Sequence, residues 1–561
     1  MKVVLVLPSS GFRRSSPTSA TGAEHLGLGY IAAYLRQFGH EVIILNFQVE
    51  EAFSSTSLTT KYAAEKILSY NPDIVGMSIT GMTISEALLI ASQIKQTRPF
   101  LHICWGSHQA SSCASEILKH EPCVDTITVG DGEIPWQKLL AALENGEPLS
   151  KVPGLWYREN GLVIFSGPPP EPDLNTLPFP SRDTLEELIQ RNINISDARI
   201  STSRGCPFNC TFCVYPALGY QKRWRARTAS SIVDEIKYLN KTYGISQFWF
   251  NDDNFVIPTK QGRLRVLDIA ERLIKESIDI TYRVLMRADA VNGQKELIET
   301  LVRSGLICVY IGIESGSPRR LGYFDKRTTP DIYRRAVELV REQRIGLQIG
   351  FIMFDPMTSW DDLEIDARFL SDIEEMYLFS NYSQVLDVYP GTPISKTLMD
   401  KGLLAKNFNY SSNYRAYSYE NHKIGILADT INAAYSREWV EIDDFFRRLR
   451  MIDVPRLYRC ETGSLVDDLS HEVETKIRDL NKKGTALFFY LLDLGREGAD
   501  KSKILSSIRR HYHDSLKSKG EIISKLQLFP DKILKHLSAL QHSKKENLPQ
   551  DTVECDETRR I

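Results

Sequence analysis

The run "ARISTSRGCPFNCTFC" (198–213) carries the reading of the fold. Its first half, "ARISTSR" (198–204), has strand character, and its second half places three cysteines, Cys206, Cys210 and Cys213, in a C-x3-C-x2-C spacing. Three is an odd number for a disulfide framework and one short of a closed four-thiolate metal site. The cysteines follow a strand and precede the helical pattern "SSIVDEIKYLNKTYG" (230–244). A strand–loop–helix order puts such thiolates at the carboxyl end of a strand, where α/β folds hold their ligands.

Outward from this loop the strand–helix beat continues. The strands are "QFWFNDDNF" (247–255), "ITYRVLMRA" (280–288), "CVYIGIES" (308–315) and "LQIGFIMFD" (347–355), with helical patterns between them, and "SQVLDVYPGTP" (383–393) closes the series. Such repetition predicts a partial or full α/β barrel over 199–400. Residues 1–150 show a second alternation, with strands in "KVVLVLP" (2–8), "EVIILNF" (41–47), "DIVGMSIT" (73–80), "LHICWGS" (101–107) and "VDTITVGDGE" (124–133). Near-continuous apolar strands imply a parallel sheet covered on both faces, a doubly wound, Rossmann-like domain. Between them, 151–198 reads as a proline-rich linker, centred on "GPPPEPDLNTLPFPSRD" (167–183). From 401 to 540 the pattern is mainly helical, its Lys-rich part reading as solvated amphipathic helices, and 541–561 reads as a disordered tail.

Composition bounds the function classes. The chain has 561 residues, too many for one core, with 42% hydrophobic and 25% charged residues and a formal net charge of −2. No global field advertises a nucleic-acid partner. The start "MKVVLVLPSSGF" fits a buried strand better than a signal peptide, and no apolar run reaches membrane-spanning length, so no membrane partner is expected. Nine cysteines with one tight cluster point to a reducing, cytoplasmic setting and a metal or redox role.

A three-cysteine loop can hold a 4Fe-4S cluster with one iron left open. A zinc knuckle with a distant fourth ligand is the plainer alternative, but no histidine lies near the triplet and no second C-x-x-C exists. "GCPFNCTFC" resembles the cluster loop of radical S-adenosylmethionine (SAM) enzymes, and further elements recur behind it in order. "FNDDNF" (250–255) resembles the motif that contacts the SAM amino group, which implies Asp252 and Asp253 as contacts. "YIGIESGS" (310–317) resembles the later strand motif near the adenine and ribose, with Glu314 at its polar position. "IGFIMFDP" (349–356) and "YPGTP" (389–393) stand where that family has its late strands and closing loop. Arg283 and Arg287 are candidates for the SAM carboxylate, since guanidinium suits bidentate carboxylate binding. The resemblance implies one-electron reduction of SAM to methionine and a 5′-deoxyadenosyl radical, with an external reductant such as flavodoxin or ferredoxin.

The first domain adds a second resemblance. "GLGYIAAYLRQFGHEVIILNF" (27–47), "NPDIVGMSIT" (71–80), "WGSHQAS" (105–111) and "VGDGEIPWQKLL" (129–140) resemble, in order, the cobalamin-binding domain fused to one radical SAM class. Small residues at the strand ends suit close backbone approach to a large flat cofactor. The candidate contacts are Gly76, Ser78, Thr80, Gly106, Ser107, His108, Gly130, Gly132 and Glu133. The Asp-x-His-x-x-Gly segment that donates a histidine to cobalt in other cobalamin proteins is missing, and Asn46 stands where the family often has Asp. A methylthiotransferase-type first domain would use Cys104, Cys113 and Cys123 for a second cluster, but their placement in a strand and at a helix start argues against it.

The resemblance implies a class B radical SAM methyltransferase acting on an unactivated carbon, or phosphorus, of a small-molecule or peptide intermediate. Alternatives are a cyclase or ring-rearrangement enzyme without methyl transfer, a methyltransferase using SAM only as donor, and a cobalamin sensor, which would have no need of an open iron. Tyr382, Asp387 and Tyr389 are candidate substrate contacts.

Overall fold

A computed structural model describes residues 1–9, 24–53, 58–193, 195, 197–218, 224–450 and 463–526. The expected tail over 541–561 lies outside the described residues. Two sheets organise the chain. The first runs β2-β1-β3-β4-β5-β6-β7, with β1 (Lys2–Leu7), β2 (Glu41–Asn46), β3 (Ile74–Ser78), β4 (His102–Gly106), β5 (Thr126–Thr128), β6 (Leu155–Glu159) and β7 (Leu162–Phe165). β1 to β5 pair in parallel, and their side chains enter two apolar layers: Val4, Val6, Val75 and Trp105 on one face, Val3, Leu5, Ile74 and Cys104 on the other. Burial on both faces is why these strands read as continuous apolar runs. Residues 155–165 differ from the linker expectation. β6 and β7 form an antiparallel hairpin that extends the first sheet, their Trp156 and Phe165 rings stacked at 4.9 Å.

The second sheet, β14-β13-β12-β11-β8, is wholly parallel: β8 (Asp197–Ile200), β11 (Gln247–Phe250), β12 (Thr281–Met286), β13 (Leu306–Glu314) and β14 (Gly346–Phe351). Phe354 and Val385 add a parallel bridge, so the barrel is partial. Its helices pack on the outer face, where Tyr282 reaches the carbonyl of Leu301 (3.2 Å) and the hydroxyl of Ser304 (2.7 Å). Alternation then turns Arg283 to the inner face. A short ribbon, β9 (Ser203–Arg204) with β10 (Arg225–Ala226), leads into the cysteine loop.

Beyond residue 400 the described chain is mainly helical, with helices His422–Ala434, Arg437–Arg450, Gly463–Glu497 and Lys501–Leu526. The last buries Ile504, Ile508 and Ile522 along one side. The segment before them crosses back to the first domain. Tyr410 is buried in the first domain's core and donates to Glu121 at 2.6 Å, while Gln109 Nε2 donates to the Tyr410 carbonyl at 3.4 Å. No helix among the described residues is long and apolar enough to cross a membrane.

Candidate active site at the domain seam

A cavity with about 1270 Å³ of empty space, partly continuous with solvent, lies at the carboxyl ends of the first sheet and faces the β8–β9 turn of the barrel. Part of its first-domain wall is made of glycines, where side chains are absent. A Cβ on Gly76 would stand 2.6 Å from Trp136, and one on Gly132 would stand 2.7 Å from Ile31. Gly130 has φ 79°, and Ser107 takes a left-handed φ of 80° at the turn into the next helix. Gly106, Ser78 and His108 complete this wall.

His25, just ahead of helix Leu26–Arg36, also lines the cavity. It caps helix Leu26–Arg36, its Nδ1 accepting from the Leu28 N–H at 3.1 Å. A neutral ring that accepts at Nδ1 carries its proton on Nε2, which lies 2.8 Å from Ser78 Oγ. Burial lowers its pKa to about 4. Histidine is not a favoured N-cap residue, so no local signal marked it.

The barrel side contributes the cysteine loop and its flanks. Cys206, Cys210 and Cys213 are free and half-buried. The loop is pinned by backbone: Thr211 N donates to Phe324 O (3.1 Å), Thr211 Oγ1 to Tyr323 O (3.1 Å), and Ile394 N to Thr211 O (3.0 Å). Phe208 lies under the Arg287 guanidinium at 3.7 Å. Burial raises the Cys206 thiol and pushes Cys213 up to about 12, so loading a metal must drive off those protons. Among the described residues no three ligand side chains close on a single point. A cubane spreads its thiolates over different irons, so the loop's chemistry fits a cluster rather than one ion.

Two domain models cover the halves of this seam: the radical SAM superfamily matches residues 200–370 and the B12 binding domain matches 18–140. An uncharacterised methyltransferase of Pyrococcus horikoshii is 30% identical over 423 residues, 74% of this chain and 86% of that protein. The chain belongs to the cobalamin-binding radical SAM family. An anaerobic magnesium-protoporphyrin IX monomethyl ester cyclase of Rubrivivax gelatinosus is 26% identical over 58% of each chain. In fold, the chain resembles the cobalamin-dependent SAM radical enzyme OxsB, solved with aqua-cobalamin and SAM bound, at TM-score 0.69 and 20% identity over 96% of this chain and 83% of that one. The family's cofactors are the three the sequence implied: a 4Fe-4S cluster, SAM and cobalamin.

The residues present fit these groups. Ser203 Oγ, buried in the cavity wall, has no hydrogen-bond partner among the described residues, and the glycine-lined wall leaves room for a broad planar ligand. Asp253 and Glu314, carboxylates at the barrel rim, suit an ammonium group such as that of SAM. Asp253 accepts from the Tyr215 hydroxyl at 2.5 Å, and the Tyr215 ring packs edge-on against His108 at 5.2 Å. Burial raises the Asp253 carboxyl and lowers His108, the latter opposed by the Asp253 charge. Glu314 sits at a bulge with φ 70°, tied to Lys326 at 3.3 Å.

Several expected contacts are placed otherwise. Asp252 does not line the cavity; it accepts from Thr202 N and Ser203 N (both 2.7 Å) and Thr202 Oγ1 (2.5 Å), anchoring the turn ahead of the cysteines. Glu133 lines the cavity, but its oxygens go to Arg204 at 2.7 and 3.3 Å. Thr80 is held in a turn by Thr83 Oγ1 (3.0 Å) and stays outside the lining. Arg283 pairs in register with Cys308 and lies beside Trp249 (5.9 Å), about 10 Å below the strand end at Met286; Arg287 is the arginine at the cysteine loop. Asn46 caps the next helix through Gln48 N and Val49 N (both 3.2 Å). Tyr382 is a core residue against Phe379 and Phe488, Asp387 pairs Arg415 at 2.7 Å, and Tyr389 packs on Tyr414 at 4.7 Å. Cys104 enters one apolar layer of the first sheet and Cys113 and Cys123 the other, so they share no site.

Proposed function

We propose that this enzyme methylates an unactivated carbon, or phosphorus, of a small-molecule or peptide intermediate, in the cytoplasm, with electrons from a flavodoxin- or ferredoxin-type protein. The observation that carries it is the single cavity walled by both domains, with the first sheet's glycines on one side and Gly205, Tyr215 and Asp253 of the barrel on the other. When bound, cobalamin supplies the methyl group, and the cluster with SAM supplies the radical that activates the substrate. The chain's part is positional. Cys206, Cys210 and Cys213 hold the cluster, Asp253 and Glu314 receive the amino end of SAM, and Gly76, Gly106, Gly130 and Gly132 let the corrin approach the backbone. Arg283 has no carboxylate partner among the described residues and is available on the barrel's inner face to an anionic group.

Anaerobic reconstitution with iron, sulfide and hydroxocobalamin, followed by turnover with SAM, tests the reading. Both cofactors should load, and turnover should release S-adenosylhomocysteine and 5′-deoxyadenosine together. Uptake of iron and sulfide without cobalamin would overturn it. The cyclase relative supports a second reading, ring formation without methyl transfer; that reaction would release 5′-deoxyadenosine alone.

A further inference from the structure

The turn Gly130–Glu133 carries two carboxylates into the cavity wall, and both are spent on the other domain. Asp131 reaches Arg204 at 3.2 Å and Arg225 at 2.7 Å; Glu133 reaches Arg204 at 2.7 Å. The Arg204 guanidinium also stacks over the ring of Tyr30, from the first domain's opening helix, at 4.7 Å. Arg204 and Arg225 face each other across the β9–β10 ribbon, and Gly205 alone separates Arg204 from the cluster ligand Cys206. One guanidinium therefore touches three first-domain side chains that line the cavity, and its own backbone begins the cysteine loop.

We propose that Arg204 is a positioning residue that couples the two cofactor sites, holding the start of the cluster loop against the corrin-facing turn. The inference rests on the two-cofactor reading above. It draws on three features. The Glu133 contact is bidentate and largely buried, a geometry in which guanidinium fixes orientation as well as distance, and Asp131 adds its charge beside it. The turn they grip is closely packed, a Cβ on Gly132 standing 2.7 Å from Ile31. And the ribbon is only two residues long on each strand, its other ties to the first domain running from Arg225 to Asp131 and, just past the ribbon, from Arg227 to the Tyr30 hydroxyl at 3.4 Å. A ligand that settles the turn then settles the cluster loop, and the coupling is reciprocal: the assembled cluster favours cobalamin as cobalamin favours the cluster geometry.

The test measures the hydroxocobalamin dissociation constant of the full-length protein with and without reconstituted cluster, together with the EPR spectrum of the reduced cluster with and without cobalamin. In the wild type the cluster should tighten cobalamin binding by about 5-fold or more, the low end of ordinary coupling between sites, and cobalamin should change the cluster's EPR signal. In Arg204→Met both cofactors should still load, but the tightening and the spectral change should be lost, and Arg204→Lys should restore part of each. Glu133→Gln removes the bidentate ion pair from the other domain while leaving the Asp131 pair, and should reduce both effects; it decides the matter if Arg204→Met does not fold. A wild type that loads both cofactors with no coupling, or variants that keep it undiminished, would overturn the proposal. A wild type that takes up no cobalamin would instead overturn the two-cofactor reading.

Discussion

The two walls of the cavity solve different problems. The first-domain wall sets glycines at the strand ends beside side chains such as His25, Tyr30 and His108, and its two turn carboxylates point across the seam to Arg204 and Arg225. The barrel keeps ionisable side chains at its rim, each with a partner of its own: Asp253, in the cavity lining, with Tyr215, and outside the lining Glu314 with Lys326 and Arg287 with Asp289. A broad flat cofactor is accommodated by removing side chains, whereas a small charged one is oriented by adding them. Charge on the barrel side, where it is placed, is also held in place, because an unpaired buried charge is costly.

The sharpest way to break this contrast is to remove one wall's function and watch the other. Cys206→Ala should reduce SAM cleavage to background and lose the cluster's visible absorbance, while hydroxocobalamin uptake persists; loss of both together would mean the walls are not separable. The converse change is Gly106→Val. Its Cβ would stand 3.2 Å from Thr128 Oγ1, at a position that lines the cavity. Cobalamin affinity should fall by about tenfold or more, equivalent to about 1.4 kcal/mol, with iron and sulfide content unchanged.

How far the sequence foretold these walls follows from the kind of signal each leaves. Parallel strands buried on both faces announce themselves as apolar runs, so all five strands from Lys2 to Thr128 and the barrel strands were legible. The cysteine loop was legible because its spacing is chemical. The hairpin β6–β7 was not: it is a short antiparallel addition beside a proline-rich stretch, and the prolines dominated the reading. Asp252 and Glu133 were legible as polar residues at strand and turn ends, yet sequence spacing cannot say whether a carboxylate faces a ligand or a backbone N–H. Three-dimensional pairing decided both, in favour of Thr202 and Ser203 for one and Arg204 for the other. Arg283 lies inside β12 and Arg287 just past its end, a difference that depends on where the strand stops.

Asp252 sharpens the comparison at the next level of effect. If it is an anchor of the turn and not a cofactor contact, Asp252→Ala should cost stability, by about 3 kcal/mol, since two N–H groups and one hydroxyl lose their acceptor. A lower Tm already in the protein without cofactors is the expected result. An unchanged Tm with weakened SAM binding would return Asp252 to the ligand set.

The smallest effect separates the walls by pH. His25, in the first-domain wall, has its pKa lowered by burial from 6.5 to about 4. Between those values the unfolded chain binds a proton that the folded chain refuses, so stability falls as pH falls through this window. The contribution is fully present above about 6.5 and disappears towards 4; from pH 7 to pH 5 the loss is at most about 2 kcal/mol. Protonation would also take Nδ1 away from the Leu28 N–H and open the helix cap beside the cavity. His25→Asn keeps a capping oxygen but does not titrate. Its Tm should therefore decline less steeply than the wild type's between pH 7 and 5. His511 is likewise lowered to about 4 by burial, in the helical region, and remains in both proteins, so the difference between the two slopes isolates His25. Equal slopes would mean that His25 is solvated in the protein without cofactors, and that the first-domain wall is less closed than its glycines and helix cap imply.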